Sequence, residues 1–301
     1  MKKYPLVIGA LGIYALADVY RYTFRRDRSK LTTLLFDGKT HQSDYYVWRD
    51  SAAERLKNAR CFEYGILSER GETLRGWYYP CGSKMSKNIA FIVHGYHSEH
   101  VETAGMLFEY YHSRGFDVFA CDNTASGSSG GHLFGFDVFE SDDCLKWLYF
   151  LINEFGADIN VVMHGFSLGG ATVLKMSDRC PSVVKFIVSD SGFSDARELL
   201  RSRLGVSYPV MASLNRIIAG YSLSDTAVFE NVAGSSLPFL IVHGTDDPTV
   251  PFSMAEKIFD ACPGEKDRLF VDGARHIESM FRAKDEYEAK LDAYIEKYIE
   301  R

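Results

Sequence analysis

From residue 62 onward the chain alternates short, almost wholly apolar runs with longer stretches of helical spacing. Runs at 89–93, 117–121, 159–163, 186–188, 239–242 and 268–271 leave no polar face for water, so they predict strands buried on both sides in a parallel sheet. Ahead of them, residues 44–60 predict a surface helix. Residues 62–67 and 74–79 predict an antiparallel pair around the Arg70-Gly71 turn. The expected architecture is a doubly wound, mostly parallel α/β sheet. About fifty residues separate the strand near Ser189 from the one at Phe239, several times what a plain crossover needs. Helical signals at 195–204 and 209–221 fill that interval, which predicts a small cap at about 195–221 on a domain spanning 31–301.

Residues 1–30 break this rhythm. An apolar run from Tyr4 to Tyr20 is interrupted only by Asp18, with Lys2 and Lys3 before it and Arg21, Arg25, Arg26, Arg28 and Lys30 after it. Three readings stand. A single-pass membrane anchor is the leading expectation, since tyrosines and arginines at the end of a short run extend it into the interface; the heavier C-terminal basic flank then keeps the body cytoplasmic. Ala15-Leu16-Ala17 also resembles a signal-peptidase site, which implies secretion. The third reading is a helix buried against the domain.

The chain has 301 residues, 46% hydrophobic and 14% aromatic, enough for one sizeable core. Its net charge of −6 hides an asymmetry. Residues 1–30 hold seven Lys/Arg against two Asp, a net of +5, which leaves −11 for the rest. An acidic body argues against a nucleic-acid partner. Six scattered cysteines show no C-x-x-C pair, and buried free thiols are the expectation.

The candidate chemistry sits where strands end. Gly165-Phe166-Ser167-Leu168-Gly169 follows one predicted strand and opens a helix, the G-x-S-x-G pattern in which a serine projects from a strained strand-to-helix turn. His94-Gly95-Tyr96-His97 follows another strand, and the Tyr96 and Leu168 amides are candidate donors to an oxyanion. Asp246 and Asp247 follow a third strand and His276 a fourth. The order Ser, Asp, His is that of an α/β hydrolase.

On Val93-His94-Gly95-Tyr96, Gly165-Phe166-Ser167-Leu168-Gly169-Gly170, His243-Gly244 with Asp247 and Val250, and Ala274-Arg275-His276, the chain resembles the α/β-hydrolase superfamily. More narrowly it resembles membrane-anchored bacterial serine hydrolases of Bacillus and Clostridium type, which are esterase-like or prolyl-aminopeptidase-like. The resemblance covers roughly residues 60–300. It implies a Ser167–His276–Asp247 triad, Asp247 being preferred over Asp246 because the family's acid lies four residues after the histidine of His243-Gly244. It also implies ester or thioester hydrolysis through an acyl-serine, with peptide hydrolysis as the alternative and a non-catalytic binding protein less expected. No cofactor or metal is expected, and the partner is a small acyl or peptide substrate. The segment 122–131 keeps Asp122, Gly127 and Ser129 of a family loop, but Thr124 and Ser126 stand where the family has arginine and histidine.

Other residues carry plainer readings. His94 and His243 are expected to shape loops by local hydrogen bonds. His97 and His100 with Glu99 and Glu102 suggest either a metal site or, more simply, a solvated loop and helix start. Ser191, in Ser189-Asp190-Ser191-Gly192, lacks the first glycine of an elbow and reads as a turn residue. His41 and His132 are isolated.

Overall fold

A computed structural model describes residues 4–27 and 43–299. Eight strands form one sheet in the order β1-β2-β4-β3-β5-β6-β7-β8. They are β1 (Phe62–Leu67), β2 (Thr73–Tyr79), β3 (Asn88–Val93), β4 (Asp117–Asp122), β5 (Asn160–Phe166), β6 (Val184–Asp190), β7 (Phe239–Gly244) and β8 (Lys266–Val271). β2 runs antiparallel to both β1 and β4, and every other pairing is parallel. The six apolar runs all become strands. β5 and β6 continue past the predicted ends, through His164-Gly165-Phe166 and Ser189-Asp190, because the parallel ladder pairs Phe166 with Asp190 beyond the last apolar position.

Helices cover both faces. On one lie α2 (Asp44–Lys57), α3 (His100–Ser113), α10 (Ser279–Arg282) and α11 (Lys284–Tyr298), burying Leu56, Leu107, Tyr111, Tyr287 and Leu291 against the sheet. On the other lie α4 (Val138–Phe155), α5 (Leu168–Lys175), α8 (Phe229–Gly234) and α9 (Phe252–Ala261), with Trp147, Leu148, Leu174 and Ile258 inside. Burying a large apolar side chain contributes about 1.5–3 kcal/mol, so these two layers are the main source of stability. The arrangement is the α/β-hydrolase fold.

Between β6 and β7 stand α6 (Ala196–Leu204) and α7 (Tyr208–Ile218). Asp195 starts α6 by accepting the Arg197 amide at 2.8 Å, which satisfies a donor that has no partner within the helix. Leu199, Leu200 and Met211 join Tyr20 and Phe24 of α1 (Tyr4–Phe24) and Phe134, Phe136, Leu168 and Phe193 in a third apolar cluster.

That cluster corrects the reading of the N-terminal segment. Among the described residues no helix is long and apolar enough to cross a membrane, so neither the single-pass anchor nor the membrane partner inferred from it stands. The run fails because Asp18 and Arg21 interrupt α1 and its last turns face protein: Asp18, Tyr20, Thr23 and Phe24 are all buried. The last turns of α1, from Asp18 to Phe24, pack on the domain as the third reading expects. Lys2, Lys3, Arg28, Lys30 and His41 lie outside the described residues.

Candidate active site

The turn after β5 is built by crowding. Ser167 has φ 54° and ψ −115°, a strained conformation for a residue with a side chain. A Cβ on Gly165 would lie 2.1 Å from the Gly169 carbonyl oxygen, and one on Gly169 would lie 2.1 Å from the Val93 carbonyl oxygen. Only hydrogen fits at either place, which explains the two glycines of the motif. The Ser167 amide donates to the Asp190 carbonyl at 2.8 Å, and the Ala171 amide to the Ser167 carbonyl at 3.0 Å. Strain at the serine is thus held from both sides.

Register brings the other ends to it. Val93 pairs with Gly165, so the loop leaving β3 passes over the elbow, where a Cβ on Gly95 would be 3.3 Å from Ser167 Cβ. Gly244 pairs with Val271, which sets the loops after β7 and β8 side by side. His276 Nε2 lies 2.9 Å from Ser167 Oγ, and His276 Nδ1 lies 2.6 Å from Asp247 Oδ2. The other Asp247 oxygen accepts the Thr249 and Val250 amides at 2.7 and 2.9 Å. Burial pushes the Asp247 carboxyl up, but the His276 hydrogen bond, the His276 charge and the Val250 amide outweigh it and hold the group below the usual carboxylate range. Asp246 is exposed, and its amide donates to the Ala274 carbonyl. Of the two aspartates only Asp247 meets the histidine. Leu168 opens α5, so its amide has no acceptor within that helix, and it lines one cavity with Tyr96, Ser167 and His276.

That cavity has a volume of about 710 Å³. Its walls are mostly apolar: Met106, Phe136, Phe193, Leu199, Leu200 and Leu204 among them. Met211 and Leu214 of α7 do not line the cavity and pack within the third apolar cluster, to which Leu199, Leu200 and Leu204 also belong.

The plainer readings resolve individually. His94 lies 2.7 Å from the Gly95 carbonyl through Nδ1 and accepts the Asn123 amide at Nε2, so it shapes the loop. His243 Nε2 lies 3.0 Å from the Val250 carbonyl. His100 is not solvated: it is buried, stacks on Trp77 at 3.7 Å and meets Asp122 at 3.0 Å. Among the described residues no group of three or more His, Cys, Asp and Glu is arranged to hold a metal ion. The cysteines are free but not uniformly buried, since Cys61 is exposed. In the segment 122–131 a guanidinium does reach the loop, but it comes from Arg26, which donates to the Gly127 and Ser129 carbonyls.

Ser191, read from the sequence as a turn residue, does more than turn the chain. It is buried with φ 55°, donates to Asp190 Oδ1 at 2.9 Å and accepts the Ile277 amide at 3.1 Å, one residue from His276. Asp190 also accepts Tyr287 Oη at 3.0 Å, Tyr287 lies 2.9 Å from His164 Nε2, and Tyr111 lies 3.0 Å from His164 Nδ1. Burial pushes Asp190 up to about 7 and His164 down to about 3. This network ties the histidine loop to the sheet beneath it. A Ser at the end of a strand neighbouring the elbow was the only signal in the sequence.

The fold and the strand-end array define an α/β hydrolase. Residues 106–301 match the prolyl oligopeptidase family, and the chain belongs to it. It is 22% identical over 307 residues to the protein YqkD of Bacillus subtilis, covering 98% of each chain. Among solved structures, the Pyrococcus furiosus esterase Pf2001 superposes with a TM-score of 0.66 at 17% identity, over 81% of this chain and 95% of that one. The acylaminoacyl peptidase of Pyrococcus horikoshii superposes with a TM-score of 0.60 at 14% identity, over 82% of this chain but only 43% of its own.

Proposed function

We propose that the protein is a serine hydrolase that cleaves an ester or thioester through an acyl-serine intermediate. The observation that carries the reading is the continuous Ser167–His276–Asp247 hydrogen-bond array opening into a largely apolar cavity. Ser167 Oγ attacks the carbonyl carbon while His276 Nε2 takes its proton. The negative charge that forms on the carbonyl oxygen is met by the Tyr96 and Leu168 amides, and one such donor is worth about 3 kcal/mol in related chemistry. Collapse expels the alcohol or thiol, which leaves with the proton from His276. Water then repeats the sequence on the acyl-serine and releases the acid. Asp247 keeps the Nδ1 proton in place and stabilises the imidazolium. Helices α6 and α7 form the cap over this site.

Peptide hydrolysis is the second reading, favoured by the family match. Glu102 is the one acidic side chain lining the cavity among the described residues, and it is already engaged by Ser98 and by Arg49 at 3.8 Å. It therefore makes a poor anchor for a peptide's amino terminus. Fluorophosphonate labelling of Ser167 in one sample tests the nucleophile, and a panel of p-nitrophenyl esters beside aminoacyl-naphthylamides on the unlabelled protein separates the two. Amide turnover exceeding ester turnover gives the answer to the peptidase.

A further inference from the structure

The N-terminal helix is joined to the site in a way that packing alone does not require. Val19, Tyr22 and Thr23 line the same cavity as Ser167 and His276. The last four carbonyls of an α-helix have no partner within it. Here the Arg25 amide meets that of Arg21, the Phe134 amide meets that of Phe24, and those of Tyr22 and Thr23 are both taken by one group, the Tyr96 hydroxyl, at 3.1 and 2.7 Å. The ring of Tyr96 is held against Phe134 and Phe136, with centroids at 4.9 and 5.4 Å, and Phe136 meets Phe24 of α1 at 5.6 Å. Arg26 and a bridge from Arg25 to Leu133 stitch the end of the helix to the same loop.

Two physical consequences follow. A tyrosine has only two side-chain rotations, so fixing both its ring and its hydroxyl restrains the backbone that carries its amide. The carbonyl end of a helix is also the negative end of its dipole, which would oppose an oxyanion formed nearby. Donors on these terminal carbonyls offset that charge.

We propose that α1 is a fixed wall of the acyl pocket and, through the Tyr96 hydroxyl, the brace that positions the Tyr96 amide for the oxyanion. The proposal rests on the serine-hydrolase reading and assigns Val19 to substrate selection and the Tyr96 hydroxyl to positioning. Val19 is half-buried at the cavity wall, so a larger side chain there takes volume from the acyl chain.

The test uses the full chain and measures rates of Ser167 labelling by ethyl and decyl fluorophosphonates, with kcat and KM for p-nitrophenyl acetate. Val19→Trp is expected to lower the decyl-to-ethyl rate ratio about tenfold, and Val19→Ala to raise it. Tyr96→Phe keeps the ring and loses the one hydroxyl proton shared between the two carbonyls, so kcat is expected to fall about tenfold with KM and melting temperature little changed, a split that lost packing would not give. Tyr14→Ser, on an exposed position of α1, serves as the control and leaves both readouts unchanged. A wild-type ratio in both Val19 variants, or a wild-type kcat in Tyr96→Phe, overturns the inference while the serine-hydrolase reading survives. Failure of the wild-type protein to react with either probe removes that reading, and the inference with it.

Discussion

Replacing Asp247 by asparagine removes one charge and reverses one hydrogen bond at the centre of the site. Asp247 Oδ2 is 2.6 Å from His276 Nδ1, and its partner oxygen is fixed by two backbone amides. The side chain is therefore held from rotating. In the variant the amide oxygen is expected to stay on the Thr249 and Val250 amides, which turns the amide N–H toward Nδ1. Two donors cannot face one another, so the imidazole places its proton on Nε2 instead, and Nε2 can no longer accept the proton of Ser167. In other triads that change of tautomer costs about 10⁴ in kcat, or roughly 5.5 kcal/mol of transition-state stabilisation. Asp246 is exposed and makes no contact with the histidine, so Asp246→Asn is expected to alter kcat less than about threefold. Steady-state p-nitrophenyl ester hydrolysis, with circular dichroism to establish that both variants fold, makes the comparison. An Asp247→Asn variant within tenfold of wild type, or an Asp246→Asn variant equally impaired, would refute the argument.

Ser167→Ala should abolish fluorophosphonate labelling while leaving the melting temperature within a few degrees, and persistent labelling would assign the nucleophile elsewhere. Met211→Ala, at a fully buried position of α7, should cost about 2–5 kcal/mol of stability, read as a lower urea midpoint. Leu204→Ala, on the cavity wall, should instead shift chain-length preference with a smaller loss. His164 is held neutral, pushed down to about 3 by burial, so the unfolded chain binds a proton below its ordinary pKa that the folded one refuses. Its contribution is complete above that ordinary value and is lost as pH falls, by about 2 kcal/mol between pH 7 and pH 5. Comparing the urea midpoints of the wild type and His164→Gln at both pH values should show that difference, and identical slopes would contradict it.

The sheet was legible in the sequence because its interior strands are apolar on both faces, a pattern that helices of this length rarely produce. Strand ends were less so: β5 and β6 finish with His164-Gly165-Phe166 and Ser189-Asp190, residues selected by the elbow and the network beneath it, not by burial of apolar surface. The strand-end motifs singled out Ser167, Asp247 and His276, which the structure brings within hydrogen-bonding distance of one another, since each follows its strand by only a few residues and the ladder fixes where strands stop. The network through Asp190, and the part Ser191 plays in it beyond that of a turn residue, were not legible because they depend on contacts with Tyr287 and Ile277, roughly ninety residues away in the chain. No local pattern signals such a contact.

The N-terminal run shows how the same residues support opposite readings. A short apolar segment flanked by arginines fits a membrane interface, and it equally fits a helix that buries one face and ties its end to a loop. What separates them is the destination of the terminal polar groups. At an interface Arg26 and the last carbonyls would be met by headgroups and water; here Arg26 donates to the Gly127 and Ser129 carbonyls, and Tyr96 and the Phe134 amide meet the carbonyls of Tyr22, Thr23 and Phe24. Each partner lies on the loops that frame the site. The segment 122–131, whose own sequence offers Thr124 and no arginine, thus receives its guanidinium from Arg26, two residues beyond the end of α1.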